Sequence, residues 1–319
     1  MKRSPLPGLL ALALAASPAR ADPQVLLAPA VGSPSRLTAS GRVLKARPAE
    51  SHGPVGRNLR QLTASQWPRA AVELRLGDQA AAVEADDEGD FRFTFQAPEG
   101  RPFPPGWTTL SASVRGASAA VRALVLPPEA PFLVVSDFDD TVAVTGVTST
   151  PQLLRTTLAA DAASQEAVPG MADFYQCLAA QAPAPGFALV SGSPIQYLGR
   201  VARFLELKRF PPMALELRRL GPGTLTGYKP PVLRRLLAEV PNPVVLVGDA
   251  GEKDPEVYRQ VAQEHPGRVK AIYIRKVGPP SPPQRFEGML LFEEAGEAAR
   301  DAAAKGLADE GCVEARFPR

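Results

Sequence analysis

The sequence has little of what would place it in several specialised classes of protein. Its 319 residues include only two cysteines, too few for a disulfide scaffold. The formal net charge is +3, and no dense basic block with interleaved aromatic residues occurs, which argues against nucleic acid as a partner. No internal repeat is present. The composition, 45% apolar and 22% charged, is that of an ordinary globular protein, and the length predicts two domains.

Long apolar runs are also absent. The run Leu9–Ala16 is too short to span a bilayer, but it follows Lys2 and Arg3 and precedes the sequence Ala-Arg-Ala at 19–21. A charged start, a short apolar run and a small-residue cleavage site are typical of a signal peptide. We therefore predict that residues 1–21 are removed on export, and that the mature chain has no transmembrane segment and is periplasmic or secreted. The alternative is a disordered Ala-rich terminus.

The two cysteines, Cys177 and Cys312, could pair in an oxidising compartment. Cys177 lies in a predicted amphipathic helix, where a small buried residue is expected. Neither cysteine has the basic or helix-start setting of a reactive thiol. Both are therefore predicted to be structural.

Residues 22–128 are predicted to form an all-β sandwich. Phe91–Phe95 alternates apolar and polar residues with a period of two, as expected of a strand with one buried face. The preceding Asp86–Asp90 is turn-forming and contains a glycine, which predicts a hairpin. Calcium binding there is less favoured, because the acidic spacing is not that of an EF-hand loop. Further strands are predicted at Arg42–Leu44, Ala71–Leu76 and Thr108–Val114.

Residues 129–290 alternate strand-like and helix-like segments, which predicts an α/β fold with a Rossmann-like parallel sheet and helices on both faces. After a first buried strand near Pro131, strands are predicted at Phe187–Val190, Pro243–Val247 and Ala271–Ile274. Helices are predicted at about 170–181, 194–207, 230–240 and 255–264. Residues 291–319 are predicted to form a surface helix and a tail.

The stretch Pro131–Thr141, PFLVVSDFDDT, ends the first buried strand in acidic residues. Asp137, Asp139 and Asp140 come just after four apolar residues, where a buried strand has no structural use for paired carboxylates. Such groups repel one another and lose hydration, so they require a cation or a proton. Because ligands of open α/β sheets bind at this edge, the stretch predicts a site for a hard metal ion with phosphate.

Other predicted strand ends carry polar residues that could face the same crevice. Ser191 and Ser193 follow the second strand, Asp249 and Asp254 follow the third, and Lys229 precedes the helix that leads to the third. Carboxylates, hydroxyls and an ammonium group together are suited to phosphate with magnesium. Each also has a structural alternative. Ser191 could be a turn residue and Lys229 a solvated side chain, whereas Ser193 and Asp254 precede prolines and could be helix caps, the interpretation preferred for Ser193.

Four motifs resemble those of the haloacid dehalogenase superfamily in order and spacing. DFDDT at 137–141 matches the first, VSGSP at 190–194 the second, Lys229 the third and GDAGEKD at 248–254 the fourth. More narrowly, DFDDTVAVTGV, LVSGSPIQYLGRVARFL, GTLTGYKP, LVGDAGEKDPEVY and AIYIRKV resemble the catalytic domain of the actin-patch phosphatidate phosphatase family across residues 131–277. Residues 35–125 resemble the β-rich region that precedes this domain in bacterial members. Gly192-Ser193 stands where eukaryotic members commonly have Ala-Ser, a change that alters little chemistry.

This resemblance implies a haloacid dehalogenase-type phosphatase with a small cap, which uses Mg²⁺ and forms an aspartyl phosphate. Asp137 would be the nucleophile and Asp139 the general acid and then the base, while Lys229 would neutralise the charge of the phosphate. Asp254 would orient Lys229 or a metal-bound water. The residues implied to bind phosphate are Thr141, Ser191, Gly192 and Lys229, and those implied for the metal site are Asp137, Asp139 through its backbone carbonyl, Asp249 and Asp254.

The resemblance also implies a substrate, phosphatidate or a related phospholipid at a membrane surface. The alternatives are soluble or protein-bound phosphate, or a non-catalytic exported binding protein with a vestigial phosphatase domain. Val142–Val168, with a predicted helix at Pro151–Leu158, is long enough only for a small cap and leaves the crevice open to a bulky phosphomonoester. Candidate anion contacts, unless they are ordinary solvated arginines, are Arg155, Arg218 and Arg219.

Overall fold

The computed structural model describes residues 23–45, 65–145, 164–219 and 227–318. The predicted signal peptide, the predicted helix Pro151–Leu158 with Arg155, and most of the segment just before Lys229 lie outside these residues. The described chain has two parts, a region of strands alone up to residue 125 and a region of alternating strands and helices from residue 133.

The described residues of the N-terminal region form eight strands. Their bounds are β1 Gln24–Leu27, β2 Ala30–Gly32, β3 Arg36–Leu44, β4 Ala71–Leu76, β5 Gln79–Glu84, β6 Asp90–Gln96, β7 Gly106–Val114 and β8 Ala117–Val125. They form a three-stranded sheet in the order β1-β3-β6 and a five-stranded sheet in the order β2-β8-β7-β4-β5. Exposed and buried residues alternate strictly along β4, and the inward side chains of both sheets form one core. The predicted all-β region is thus present.

The acidic turn Asp86–Asp90 does not form the hairpin that the sequence predicts. It leads from β5 in the five-stranded sheet to β6 in the three-stranded sheet, so the strands on either side of it do not pair. Asp86 Oδ1 accepts hydrogen bonds from the N–H groups of Glu88, at 3.0 Å, and Asp90, at 2.8 Å, and Gly89 has a φ of 78°. The turn chemistry is local, whereas the choice of partner strand depends on distant β3 and β4.

Six strands of the second region form one parallel sheet. Their bounds are β9 Leu133–Ser136, β10 Gly186–Pro194, β11 Ala214–Arg218, β12 Val244–Asp249, β13 Val269–Arg275 and β14 Leu290–Phe292. Their order in the sheet is β11-β10-β9-β12-β13-β14, and every neighbouring pair is parallel. This is the Rossmann strand order, with its switch point between β9 and β12. The predicted α/β class is confirmed, although the sequence analysis missed the short strands β11 and β14.

Helices cover both faces of the parallel sheet. Their bounds are α1 Met171–Ala179, α2 Leu198–Leu207, α3 Lys229–Glu239, α4 Asp254–Glu264, α5 Ala295–Ala304 and α6 Glu310–Arg316. Helices α1, α2, α5 and α6 pack on one face, where Val134 of β9 points. Helices α3 and α4 pack on the other, against Leu133 and Val135. Successive residues of β9 therefore serve opposite layers, which explains its unbroken apolar run.

The C-terminal segment differs from its prediction as a surface helix and a tail. It forms two helices, and the Ala-rich helix α5 buries Ala298, Ala299 and Ala302 completely in the core. A disulfide joins Cys177 of α1 to Cys312 of α6. Because alanine is compatible with a close helix contact as well as with solvent, composition did not reveal the buried face.

The sandwich contacts the parallel sheet along the side of β11 and α3. The N–H of Leu215 in β11 donates to the Pro29 carbonyl at 2.9 Å, and Thr38 Oγ1 donates to Glu239 Oε1 of α3 at 2.5 Å. Asn242 Nδ2 donates to the carbonyls of the connecting segment at Pro127 and Ala130. The sandwich thus adjoins β11 and α3. β11 ends, and α3 begins, near the carboxyl edge of the parallel sheet. None of the described helices combines the length and apolar content needed to cross a membrane.

Candidate active site

The acidic residues that follow β9 and β12 meet at the carboxyl edge of the parallel sheet. β9 and β12 are neighbours, and the N–H of Asp137 donates to the Val247 carbonyl of β12 at 2.9 Å. Asp249 is the last residue of β12, and Asp254 begins α4. The site therefore lies at the switch point of the strand order, where open α/β sheets bind their ligands.

A tight loop after β9 presents the first motif. Asp140 has a φ of 51°, and its Oδ1 accepts the Thr145 N–H at 2.9 Å. Arg275 at the end of β13 donates to the Asp140 carbonyl at 2.7 Å. Asp140 therefore serves the loop, whereas Asp137 and Asp139 are left for chemistry. Aspartate tolerates this left-handed backbone better than most residues do.

Lys229 lies among three carboxylates. Its Nζ is 2.9 Å from Asp137 Oδ1, 2.5 Å from Asp254 Oδ1 and 3.4 Å from Glu252 Oε2. Its side chain is only 11% exposed, so it is not the solvated lysine of the alternative interpretation. Lys229 is the first residue of α3, and prolines at the next two positions suit the first turn of that helix.

Burial dominates the electrostatics of the site. It raises the pKa of Asp139 to about 6 and that of Asp249 to about 7. It also raises the pKa of Asp137, which Asp254 and Asp249 raise further. Burial alone would lower the pKa of Lys229, but Asp137 and Asp254 raise it well above its ordinary value. One lysine thus faces more buried carboxyl groups than it can neutralise.

The carboxylates of Asp137, Asp249 and Asp254 can hold a metal ion. One ligand oxygen from each lies within 4.8 Å of the others, and all three residues are buried. Asp137 Oδ2 and Asp249 Oδ2 are buried without a hydrogen-bond partner among the described residues. A hard divalent cation accepts such oxygens and supplies the missing charge. The residues present therefore fit a metal of this kind.

Asp139 points toward a different set of groups. Its Oδ2 accepts hydrogen bonds from Ser191 Oγ at 3.3 Å and from Ser193 Oγ at 3.2 Å. Its side chain is not part of the three-carboxylate cluster. Thr141 is fully buried, and its Oγ1 has no partner among the described residues. A Cβ at Gly192 would meet no atom within 4 Å, so the backbone there borders open space.

Neither helix-cap interpretation holds. The sequence favours Ser193 as a cap, but the short 3-10 helix that follows, Ile195–Tyr197, has no side-chain cap, and Ser193 is 1% exposed beside Asp139. Asp254 is the first residue of α4 rather than its cap, and its side chain binds Lys229. Ser191 does act in a turn, because its Oγ accepts the Ser193 N–H at 3.0 Å, but it also bonds Asp139.

The sequence analysis missed two charged residues near the site. Glu252 lies inside the fourth motif, so its position was visible but its contact with Lys229 was not. Arg285 lies in a Pro-rich segment beyond the resembling residues and carries no sequence signal. It donates to the carbonyls of Ala250, at 2.6 Å, and Glu252, at 2.5 Å, and to Glu256 Oε1 at 2.6 Å. Arg285 thus supports the loop between Asp249 and Asp254 from outside.

The three arginines predicted as candidate anion contacts differ in their positions. Arg155 lies outside the described residues. Arg218 Nε donates to the Gly192 carbonyl at 2.8 Å, beside the second motif. Arg219 Nη2 instead donates to the Phe91 carbonyl of the sandwich at 3.1 Å.

Comparison with known families finds a match for the part of the chain that carries this site. Residues 132–276 match the family model described as phosphatidate phosphatase APP1, catalytic domain. This segment belongs to that family. The match holds the first, second and fourth motifs, Lys229 and the strands β9 to β13, whereas the sandwich and Arg285 lie outside it.

Individual relatives agree with this assignment. Phosphatidate phosphatase APP1 of Saccharomyces cerevisiae is 28% identical over 149 residues, which cover 44% of this chain and 25% of the yeast protein. An uncharacterized protein of Schizosaccharomyces pombe is 28% identical over 152 residues, 45% of this chain and 25% of that protein. This chain thus aligns with about a quarter of the length of these relatives. A haloacid dehalogenase family hydrolase from Deinococcus radiodurans R1, solved with phosphate and sodium, aligns with 56% of this chain over 99% of its own length, at 15% identity. Its TM-score of 0.39 is too low to support a conclusion.

Proposed function

We propose that this chain is a Mg²⁺-dependent phosphomonoester hydrolase of the haloacid dehalogenase type that works through an aspartyl phosphate. The observation that carries the proposal is the buried set around Lys229, in which one ammonium group faces Asp137 and Asp254 while oxygens of Asp137 and Asp249 have no partner among the described residues. A purely structural ion pair would match its charges. A divalent metal ion supplies the missing positive charge and can also bind a phosphoryl oxygen.

In the first step, a carboxylate oxygen of Asp137 attacks the phosphorus and the bond to the leaving oxygen breaks. Asp139 donates its proton to the leaving alkoxide, and a pKa of about 6 keeps part of its population protonated near neutral pH. In the second step, Asp139 takes a proton from the water that attacks the aspartyl phosphate. Inorganic phosphate leaves, and Asp137 is free again.

The remaining side chains stabilise charge. Lys229 neutralises the phosphoryl oxygens, and Thr141, Ser191 and the Gly192 backbone bind them. Asp137, Asp249, Asp254 and the Asp139 carbonyl would hold Mg²⁺, which when bound withdraws negative charge from the phosphoryl group. Asp254 also keeps Lys229 in place.

A phosphate-release assay tests this proposal. The purified protein should hydrolyse an aryl phosphate with Mg²⁺ and fail to do so in excess chelator. Asp137→Asn should lower turnover by roughly 10⁴-fold or more, because it removes the nucleophile. Release that survives in this variant or in chelator would exclude the mechanism.

The family relationship favours phosphatidate or a related phospholipid as substrate, and the small cap proposed for Val142–Val168 is compatible with a bulky headgroup. Soluble and protein-bound phosphates are the competing class. Comparing phosphatidate vesicles, lysophosphatidate, sugar phosphates and phosphopeptides in one screen decides between them, and we expect at least about a tenfold preference for the lipids.

We also propose that the protein works outside the cytoplasm. The N-terminal segment has the form of a signal peptide, and the Cys177–Cys312 disulfide suits an oxidising compartment. Mature protein recovered from the cell envelope should begin near Asp22 and react with thiol reagents only after reduction. A full-length cytoplasmic product with free thiols would contradict this.

A further inference from the structure

Arg218 holds a fixed place at the carboxyl edge of the sheet. It is the last residue of β11, opposite Pro194 at the end of β10, and its Nε donates to the Gly192 carbonyl at 2.8 Å. The guanidinium is half-buried and forms no ion pair with a described residue. Burial lowers the pKa of Arg218, and Tyr228 and Glu252 offset only part of that shift. A guanidinium that the backbone orients and that contacts no described carboxylate is suited to receive an anion.

The position of Gly192 places this guanidinium relative to the proposed chemistry. Gly192 lies between Ser191 and Ser193, whose hydroxyls both donate to Asp139 Oδ2. Arg218 is thus held next to the loop whose two hydroxyls bond Asp139, the proposed acid for the leaving group. Lys229 instead contacts Asp137 and Asp254. An anion bound by Arg218 would therefore lie beside the second motif, next to the phosphoryl group and its leaving oxygen.

The junction between β11 and the sandwich, which follows Arg218 in the fold, carries several further guanidinium groups. Arg219 donates to the sandwich at Phe91, and Arg92 of the sandwich is 3.8 Å from Glu216. Arg235 is closer to the same carboxylate, with its Nη2 2.6 Å from Glu216 Oε1. Burial lowers the pKa of Arg92, and repulsion by Arg219 and Arg235 lowers it further. Among the described residues, this junction thus holds three guanidinium groups, those of Arg92, Arg219 and Arg235, with two carboxylates, those of Glu216 and Glu239.

We propose that Arg218 forms a second anion subsite that binds a carboxylate or phosphate carried on the leaving-group side of the substrate. The inference rests on the proposed phosphatase function and narrows its substrate class to phosphomonoesters presented beside a second anionic group. That group can belong to the same molecule or to the headgroup of a neighbouring anionic lipid.

Binding to the inactive Asp137→Asn protein tests the subsite without turnover. The ligands are 3-phosphoglycerate and glycerol 3-phosphate, which differ in a carboxylate against a hydroxymethyl group, and titration calorimetry with Mg²⁺ gives their affinities. We expect 3-phosphoglycerate to bind about tenfold more tightly, and Arg218→Gln to remove that preference. Arg234→Gln is the matched control, because Arg234 pairs with Glu264 on the exposed surface of α3 and should leave the preference intact.

A lipid assay with active protein distinguishes the source of the anion. If neighbouring headgroups supply it, adding phosphatidylserine to phosphatidate in phosphatidylcholine vesicles raises the rate about tenfold in the parent protein but not in Arg218→Gln. A preference in either assay that depends on Arg218 supports the subsite. Equal effects of Arg218→Gln on both soluble ligands and on both vesicle types would overturn it, and would assign Arg218 to support of the Gly192 loop alone. Loss of phosphate release from every substrate would instead reject the phosphatase function, while the calorimetric comparison still stands.

Discussion

The sandwich and the parallel sheet each bury a basic residue among carboxylates, and the two arrangements differ. In the sandwich, Arg42 Nε and Nη2 both lie 2.7 Å from the two oxygens of Asp90, one cation for one anion, with Arg42 completely buried. In the α/β region, Lys229 faces Asp137, Asp254 and Glu252. A carboxylate oxygen of Asp249 lies within 4.8 Å of those of Asp137 and Asp254. The first pair is balanced in charge and the second set is not.

The difference separates structural charges from functional ones. A buried ion pair is tolerated when its geometry is bidentate and its charges cancel, as at Arg42. Excess carboxylates with unpartnered oxygens destabilise a fold unless something binds there, as is proposed around Lys229. Burial of charge alone would not distinguish the two regions, whereas the balance of charge does.

The largest effect on stability should come from breaking the balanced pair. Arg42→Met leaves Asp90 buried without its cation and should lower the free energy of unfolding by roughly 3–5 kcal/mol, measured by denaturant titration. Turnover per folded molecule should not change, because Arg42 lies outside the site. The double variant Arg42→Met/Asp90→Leu should recover most of the stability. If it does not, the pair is not the reason for the loss.

Replacing the basic residue of the unbalanced set should also destabilise the protein, because Asp137 and Asp254 lose their cation, but its larger effect should be on catalysis. Lys229→Met, assayed with Mg²⁺, should lower phosphate release by about 10²–10³-fold, because phosphoryl charge loses its ammonium partner. Steady-state kinetics with an aryl phosphate measure the loss. A stability loss as large as that of Arg42→Met, with turnover retained, would erase the distinction between the two regions.

A smaller effect should come from the support of the loop between Asp249 and Asp254. Arg285→Ala removes hydrogen bonds to the carbonyls of Ala250 and Glu252, so the carboxylates proposed to bind the metal lose their alignment. The Mg²⁺ concentration for half-maximal activity should rise about 10–100-fold. Arg234→Ala, which removes a surface pair with Glu264, is the control and should leave this concentration unchanged.

The smallest expected effect concerns the removal of one carboxylate charge, which should stabilise the protein in the unbalanced set and destabilise it in the balanced pair. Asp249→Asn keeps an acceptor for the Gly251 N–H but removes one excess charge, so it should stabilise the metal-free protein by about 1 kcal/mol. Asp90→Asn, the same change in the balanced pair, should destabilise it. Thermal and denaturant unfolding in chelator measure both variants. Destabilisation by Asp249→Asn would mean that its charge is already compensated.

Several features could be predicted because they depend on short stretches of chain. The apolar run before Asp137 indicates a strand buried on both faces, and β9 lies between two helical layers. Asp137, Asp249, Asp254 and Lys229 were selected at strand and helix ends, and the structure brings these four together. Their roles in catalysis stay predictions until they are tested by mutation.

Other features depend on contacts between distant residues and carried no local signal. Ser193 precedes a proline and has the sequence of a helix cap, yet its hydroxyl bonds Asp139, 54 residues away. Arg285 reaches the fourth motif from a Pro-rich segment. The turn at Asp86–Asp90 was identified by its residues, but not the two sheets that it connects.

The sequence by itself determined the types of residue at the site, the order of the motifs and the layered α/β class, because apolar periodicity and loop chemistry are local properties. Only the tertiary structure decided how the charges add up. Whether a buried carboxylate is neutralised depends on which cations lie within a few ångströms, and chain packing brings those from residues far apart in sequence. That packing joins Arg42 to Asp90 as a charge-balanced pair, leaves Lys229 among an excess of carboxylates and directs Arg218 to Gly192.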